Sequence, residues 1–193
     1  LIINLLNNIY KVFNVSSNAE VTIEVNPDDI TKNYLKELSK NSPINRVSVG
    51  IQSFNDKELE SVSRRHTSLQ AKNALDNINN YFDNFSLDLI YGLPYQTLKS
   101  FEDNINIALS FKPKHISAYA LSIEKTSLLY KKILANKNNI KLNIPSEETT
   151  IKCYYLINDI LKENNFIQYE ISNYSLQNYN AKHNSCYWDI DNN

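Results

Sequence analysis

The 193-residue chain has no methionine, two glycines and two cysteines. Cys153 and Cys186 are too far apart to form a zinc-binding or redox-active pair, so we expect a reducing, cytoplasmic environment. The lack of any methionine, including an initiating one, leads us to expect an internal segment of a longer protein. Gly50 and Gly92 are expected at positions where no side chain is tolerated.

The charge and the hydrophobic pattern disfavour two classes of partner. A net charge of −1 gives no electrostatic basis for binding nucleic acid or an anionic membrane. No apolar run approaches the ~20 residues that a membrane span needs. The hydrophobic fraction of 42% is enough for a buried core, so we predict a folded cytoplasmic domain with no nucleic-acid partner and no membrane span.

Short β-rich runs alternate with longer helical patterns, which is typical of βαβ units and a parallel sheet. The start of the second helix is signalled by Asn26 as a cap, followed by Pro27 and two acidic residues. We predict strands at 21–25, 46–51, 86–91 and 115–122, and helices at 1–13, 28–40, 68–82, 97–111 and 147–164.

Within the predicted strands, apolar residues alternate with polar or small ones. The first strand reads VTIEV and the second RVSVGIQ, and successive side chains of a strand face opposite sides of a sheet. One face would therefore pack on helices while the other lines a polar cavity. We predict an α/β fold built as a partial (β/α) barrel. The alternative is an antiparallel sheet with one wet face, and the long helical segments between the strands count against it.

Four polar residues could form a binding site in such a barrel, because functional groups lie at the carboxyl ends of its strands. Glu24 and Gln52 occupy strand ends, and Asp88 lies deeper. Arg64 could hold a carboxylate in bidentate fashion. Together they would suit a zwitterionic ligand that carries a ribose. Structural roles are the alternatives: Asp88 could satisfy backbone groups, and Arg64, beside Arg65, could lie on a helix surface.

An ordered series of short motifs runs through the chain: VTIEVNP (21–27), RVSVGIQSFN (46–55), SRRH (63–66), DLIYGLPYQT (88–97), HISAYALSIE (115–124), QYEISNY (168–174) and HNSCYW (183–188). Together these motifs resemble the oxygen-independent coproporphyrinogen oxidase-like group of radical S-adenosylmethionine (SAM) proteins. Within that group they resemble the HemW-type haem chaperones.

The resemblance implies a set of SAM-binding residues. The contacts of the family correspond to Glu24, Gln52, Arg64 and Asp88, with Ser122 as a weaker further contact. We therefore predict SAM as a cofactor.

The resemblance also implies a four-iron–four-sulfur (4Fe-4S) cluster, whose CxxxCxxC motif is missing from this sequence. In the family, that motif and a GGTPS-type segment precede the first of the strands described above. Neither cysteine of this chain can replace it, because three thiolates are needed. We expect the chain alone to lack radical activity and predict no catalytic acid or base in it.

The motif HNSCYW implies haem as a second ligand, because HNxxYW is characteristic of the HemW-type subgroup. His183 could supply an axial nitrogen to haem iron while the rings of Tyr179, Tyr187 and Trp188 cover the porphyrin. A histidine that ties a loop to the core is the alternative. Cys186 could be a soft ligand, but we prefer to interpret it as a small buried hydrophobic residue.

The function implied is that of a haem chaperone, which binds haem and transfers it to an acceptor protein. Oxygen-independent coproporphyrinogen-III oxidase, a non-catalytic haem- or nucleotide-binding module, and a fragment that does not fold alone are the alternatives. We expect a partial radical SAM barrel at residues 1–135 and the start of a C-terminal HemW-type region at 146–193. Residues 136–145 would connect the two, unless they form an ordinary surface loop.

Overall fold

The computed structural model describes residues 1–135, 143–186 and 188. The strands found there are β1 (Thr22–Val25), β2 (Arg46–Gln52), β3 (Phe85–Tyr91), β4 (His115–Ala120), β5 (Ile167–Glu170) and β6 (Asn173–Ser175). The α-helices are α1 (Ile2–Val12), α2 (Lys32–Asn41), α3 (Asp56–Ser61), α4 (Ser68–Asn79), α5 (Leu98–Ser110), α6 (Leu128–Ala135), α7 (Glu147–Glu163) and α8 (Lys182–Cys186).

The strands form one sheet in the order β1-β2-β3-β4-β6-β5. The first four strands are parallel, and helical segments connect each of them to the next. Across the described residues the sheet stays open, with β1 and β5 at its two edges. This confirms the predicted α/β fold and its partial (β/α) barrel.

The apolar face of the sheet forms the core of the molecule. Val47, Val49 and Ile51 of β2, and Leu87 and Leu89 of β3, have no exposed surface and pack in one cluster with side chains of the helices. Burying a side chain of this size contributes about 1.5–3 kcal/mol. Because neighbouring residues of a strand face opposite sides, this burial fixes the polar residues on the other face.

The helix predicted at 28–40 begins later than its first start signal. Pro27–Asp29 form a single 3-10 turn, and Ile30 after it is extended (φ −89°, ψ 119°) and buried. The α-helix starts after Thr31, whose hydroxyl accepts a hydrogen bond from the backbone N–H of Tyr34 at 3.1 Å. The extended segment lets Ile30 reach the core, and a second cap then starts α2.

The other predicted helices are confirmed as α1, α4, α5 and α7; two of their starts match the prediction, and the other ends differ from it by one to three residues. The strand predicted at 115–122 ends at Ala120, where the backbone N–H of Leu121 donates to the carbonyl of Tyr91 at 2.8 Å. Of the helices in the described residues, none combines the length and the apolar character that crossing a membrane requires.

A C-terminal hairpin that was not predicted extends the sheet. β6 pairs antiparallel with β4, with Tyr174 opposite Ile116, and β5 pairs antiparallel with β6. Both strands are too short and too polar for a periodicity of two to reveal them.

Residues 136–142 of the predicted connector lie outside the described residues. The division into barrel, connector and C-terminal region stays a prediction.

Candidate functional site

Two neighbouring cavities lie on the polar face of the sheet. The larger, of about 470 Å³, follows the carboxyl ends of the strands, and we name it the carboxyl-end cavity. The smaller, of about 380 Å³, lies toward their amino ends, and we name it the amino-end cavity. Four residues line both: Glu24, Ser48, Asp88 and Tyr119. The carboxyl-end cavity is further lined by Val25, Asn26, Gly50, Gln52 and Arg64.

A local irregularity of β2 places Gln52 in the carboxyl-end cavity. The register between β2 and β3 shifts by one residue between Val49 and Gln52. Gln52 itself has a left-handed backbone (φ 67°), a conformation that costs a residue other than glycine about 1–2 kcal/mol. Gly50 keeps the space around it open: a Cβ there would lie 2.9 Å from Nε2 of Gln52 and 3.0 Å from Nη2 of Arg64.

Arg64, and not its neighbour Arg65, belongs to the carboxyl-end cavity. Its guanidinium donates to the carbonyl of Gly50 at 2.6 Å and to Oδ1 of Asn26 at 3.1 Å. Burial lowers the pKa of Arg64, while nearby Asp28 and Asp88 act in the opposite direction. The exposed Arg65 instead forms an ion pair with Asp28 at 2.8 Å.

Asp88 separates the two cavities. Burial raises the pKa of its carboxyl group to about 6, and Glu24 acts in the same direction. A hydrogen bond with Ser117, and the guanidinium groups of Arg46 and Arg64, limit the rise in that pKa. Asp88 therefore exchanges a proton near neutral pH and can serve as either a donor or an acceptor toward a polar ligand.

Ser122, the fifth residue predicted to contact SAM, follows the end of β4. It is exposed, and its hydroxyl donates to Oε1 of Glu124 at 3.2 Å. Among the described residues, it is outside the set that lines either cavity. Its role stays a prediction.

His183 lines the amino-end cavity from α8. The start of this helix is held to the sheet, because the backbone N–H of Lys182 donates to Oε1 of Glu20 at 3.1 Å. Cys186 is exposed, so its interpretation as a buried residue was wrong: α8 is a short helix on the surface. Tyr187 lies outside the described residues.

Arg46 and His115 also line the amino-end cavity, although the sequence did not predict either of them as a site residue. His115 shares hydrogen bonds with Ser86 (Nδ1 to Oγ, 2.8 Å) and Tyr169 (Nε2 to Oη, 2.6 Å). Burial, and secondarily the nearby Arg46, lowers the pKa of His115 to about 3, so the imidazole is neutral. The sequence did contain an indication of this position. Arg46 is two residues from Ser48, and His115 is two residues from Ser117, so each pair faces the same side of the sheet.

A buried carboxylate anchors the loops that follow β2 and β3. Glu58 of α3 has no exposed surface and accepts hydrogen bonds from Ser53 (2.7 Å), Gln96 (3.0 Å), Ser100 (2.7 Å) and Asn104 (3.1 Å). The loops therefore leave the strands in a fixed direction at the carboxyl-end cavity.

The cysteines present do not fit a 4Fe-4S cluster. Cys153 is buried, and this raises the pKa of its thiol to about 11, whereas Cys186 lies exposed on α8. Within residues 1–135, 143–186 and 188, no three His, Cys, Asp or Glu side chains are grouped so that they could hold a metal ion.

The carboxyl-end cavity does fit SAM chemically, because its lining includes a guanidinium group, two carboxyl groups and an amide.

These features define a partial (β/α)-barrel protein whose candidate ligand site lies at the carboxyl ends of its parallel strands. The chain belongs to the Radical SAM superfamily, whose family model matches residues 2–108. SAM and a 4Fe-4S cluster are therefore the cofactors that its family membership implies.

Curated relatives are haem chaperones. The chain is 39% identical over 188 residues to "Heme chaperone HemW" of Buchnera aphidicola subsp. Acyrthosiphon pisum, covering 97% of this chain and 47% of the relative. It is 37% identical over 186 residues to the protein of that name from Bacillus subtilis, covering 95% and 48%. These relatives confirm the predicted resemblance to HemW-type haem chaperones. The chain spans about half the length of the curated relatives it matches.

A solved structure shares the fold. Coproporphyrinogen III oxidase (HemN) from Escherichia coli, a radical SAM enzyme, superposes with a TM-score of 0.76 at 22% identity. The match covers 92% of this chain and 40% of that protein.

Proposed function

We propose that this chain is the ligand-binding part of a radical SAM haem chaperone, which binds haem and transfers it to an acceptor protein in the cytoplasm. One observation carries the proposal: Glu24, Gln52, Arg64 and Asp88 converge on one cavity, while His183 lines the cavity that adjoins it. The names of the relatives, heme chaperone HemW, support the haem-binding role.

SAM binds in the carboxyl-end cavity. It carries a carboxylate, an ammonium group and a ribose, and the cavity offers a complement to each. Arg64 pairs with the carboxylate, because its fork of N–H donors matches two carboxylate oxygens. Glu24 and Asp88 accept hydrogen bonds from the ammonium group or the ribose hydroxyls, and Gln52 both donates and accepts. Among the described residues no group of side chains would hold a 4Fe-4S cluster, which would supply the electron for radical chemistry.

Haem binds on α8, beside the amino-end cavity, whose own lining is polar and carries the carboxyl groups of Glu20, Glu24 and Asp88. His183 lies on the exposed side of α8, where a large planar ligand can approach its side chain. A neutral imidazole is a common axial ligand of haem iron. Trp188 is also exposed, and its indole N–H donates to Oε1 of Glu170 at 2.7 Å, so its ring is held near the end of α8.

Two ligand titrations of the 193-residue chain test the proposal. Hemin is followed by its Soret absorption and SAM by isothermal titration calorimetry. His183→Ala should abolish the Soret shift of axial ligation and leave SAM affinity unchanged. Arg64→Gln should weaken SAM binding by about 10- to 100-fold, the effect of losing a charged hydrogen bond. The exposed Arg65→Gln is the matched control and should change neither titration.

The outcomes separate the parts of the proposal. Hemin binding that is unaffected by His183→Ala would refute the haem site, and equal effects of Arg64→Gln and Arg65→Gln would refute the SAM site. Turnover of coproporphyrinogen III by the natural full-length protein would instead favour an oxidase.

A further inference from the structure

His115, at the start of β4, is a buried histidine whose two ring nitrogens both have hydrogen-bond partners. Its Nδ1 atom lies 2.8 Å from Oγ of Ser86 on β3, and its Nε2 atom lies 2.6 Å from Oη of Tyr169 on β5. The rings of His115 and Tyr169 also meet edge to face, with their centroids 5.6 Å apart. His115 therefore ties β5, at one edge of the described sheet, to the interior of that sheet.

The hydroxyl of Tyr169 connects this histidine to α8, the helix that carries His183. The backbone N–H of Ala181, directly before α8, donates to Oη of Tyr169 at 3.3 Å. Burial raises the pKa of Tyr169, whereas hydrogen bonds from the backbone of Ala181 and from the side chain of Asn184 lower it. Since the oxygen accepts both of these bonds, the hydroxyl proton is left for the bond with Nε2 of His115. His115 therefore holds the Tyr169 hydroxyl in the orientation in which it accepts from α8.

The direction of α8 depends on such contacts. It has five residues, and helices of that length are not stable on their own. Its start is also held at Lys182, whose ammonium group donates to the carbonyl of Asn18 at 3.0 Å. The contacts of Tyr169 involve Ala181 and Asn184, which are nearly one helical turn apart, so they also fix the rotation of α8 about its axis.

We propose that Tyr169, held in place by His115, is the positioning residue that orients His183 toward haem iron. The inference rests on the proposed function, in which His183 supplies the axial nitrogen. The two partners of Tyr169 on α8 lie on either side of His183 along the chain, so these contacts determine the direction in which the imidazole leaves the helix. Losing a group that orients a metal ligand commonly weakens metal binding by about 10- to 100-fold.

The experiment compares two substitutions of tyrosine by phenylalanine, each of which removes one hydroxyl that supports β5. Tyr169→Phe removes the link to α8. Tyr154→Phe is the matched control, because its hydroxyl comes from α7 and accepts from Nε2 of Gln168, the residue beside Tyr169, at 3.2 Å. In hemin titrations of the 193-residue chain, Tyr169→Phe should weaken binding by about 10-fold, and Tyr154→Phe should bind like the wild type. SAM affinity should be equal in all three chains.

A tyrosine that only supports the fold would lower the melting temperature without changing how folded molecules bind hemin. Titrations well below the melting temperature therefore separate the two roles, and the spectrum at saturation adds a second readout. With Tyr169→Phe, the Soret shift of imidazole ligation should be smaller at saturating hemin, and free imidazole should restore it. Wild-type affinity and spectrum in Tyr169→Phe, or equal weakening in both tyrosine variants, would overturn the inference.

Variants of His115 test its part in the inference. His115→Phe keeps a ring but removes the acceptor of the Tyr169 proton, so hemin binding should weaken as it does in Tyr169→Phe. The double variant should bind no more weakly than Tyr169→Phe alone, because both changes act through one hydroxyl. His115→Gln, whose amide oxygen can accept from Tyr169, should recover most of the affinity. Additive losses, or no recovery in His115→Gln, would refute the role of His115. Should Tyr169→Phe fail to fold, the two single variants of His115 decide the question.

The variant His183→Ala separates this inference from the proposed function. If it abolishes the Soret shift while Tyr169→Phe behaves like the wild type, the inference alone fails. If the wild type shows no Soret shift that depends on His183, the proposed haem site fails as well.

Discussion

Replacing Asp88 with asparagine should stabilise the ligand-free chain at neutral pH. Its pKa rises from 3.8 in an exposed aspartate to about 6 in the fold. The difference corresponds to about 3 kcal/mol at 1.36 kcal/mol per pKa unit. Between these two pKa values the unfolded chain ionises while the folded chain keeps its proton, so folding stability falls as the pH rises through this window. The cost reaches its full value well above pH 6, where the folded chain is ionised as well.

Asparagine imitates the protonated aspartic acid, so Asp88→Asn removes this cost. Urea unfolding of the wild type and the variant should give equal free energies below pH 3.8 and a difference approaching about 3 kcal/mol well above pH 6. Asp83→Asn, an exposed position just before β3, should stay within about 0.5 kcal/mol of the wild type. A pH-independent difference between wild type and Asp88→Asn, or one largest in acid, would refute the reasoning.

Three further predictions concern the scaffold. A thiol reagent should label the exposed Cys186 rapidly and Cys153 only after unfolding, because Cys153 is buried with a raised pKa of about 11; rapid labelling of both would contradict this. Glu58→Ala should cost at least about 3 kcal/mol in urea unfolding, since it leaves several buried donors unsatisfied, whereas the exposed Glu60→Ala should have little effect. Gly92→Ala should lower the free energy of unfolding by about 1–2 kcal/mol, because the backbone at φ +81° disfavours a side chain; an unchanged value would be inconsistent with that conformation.

The strand residues of the candidate site could be predicted because two local rules place them. Alternation fixes the face of a strand residue, and the carboxyl ends of parallel strands meet at one edge, which together bring Glu24, Gln52 and Asp88 to one place. The role of Arg64 was harder to predict, because Arg65 follows it directly. Neither arginine lies in a helix or strand whose periodicity would show which side chain faces the cavity. Ser63, directly before the two arginines, has a left-handed backbone (φ 61°), which sequence patterns do not reveal.

The buried polar groups could not be predicted because their partners are distant in sequence. Glu58 lies in a short, polar helix and reads as a surface residue, yet its donors Ser100 and Asn104 come from a helix more than forty residues away. Arg46 fits the inward alternation of β2, but a charged residue at a strand start is usually exposed. Only tertiary packing shows that both are enclosed.

Strand β1, which contributes Glu24 to the lining of both cavities, is an edge strand of the sheet. β1 has only four residues and pairs with β2 alone among the described strands, so one side of its backbone has no strand partner there. Such an edge frays more readily than the interior of a sheet. The apparent dissociation constant of a ligand then equals its intrinsic value divided by the fraction of molecules in which β1 is docked. Any strand or partner that pairs with this edge would therefore raise the affinity for the ligand without contacting the ligand. By thermodynamic reciprocity, the bound ligand would raise the affinity for that partner by the same factor.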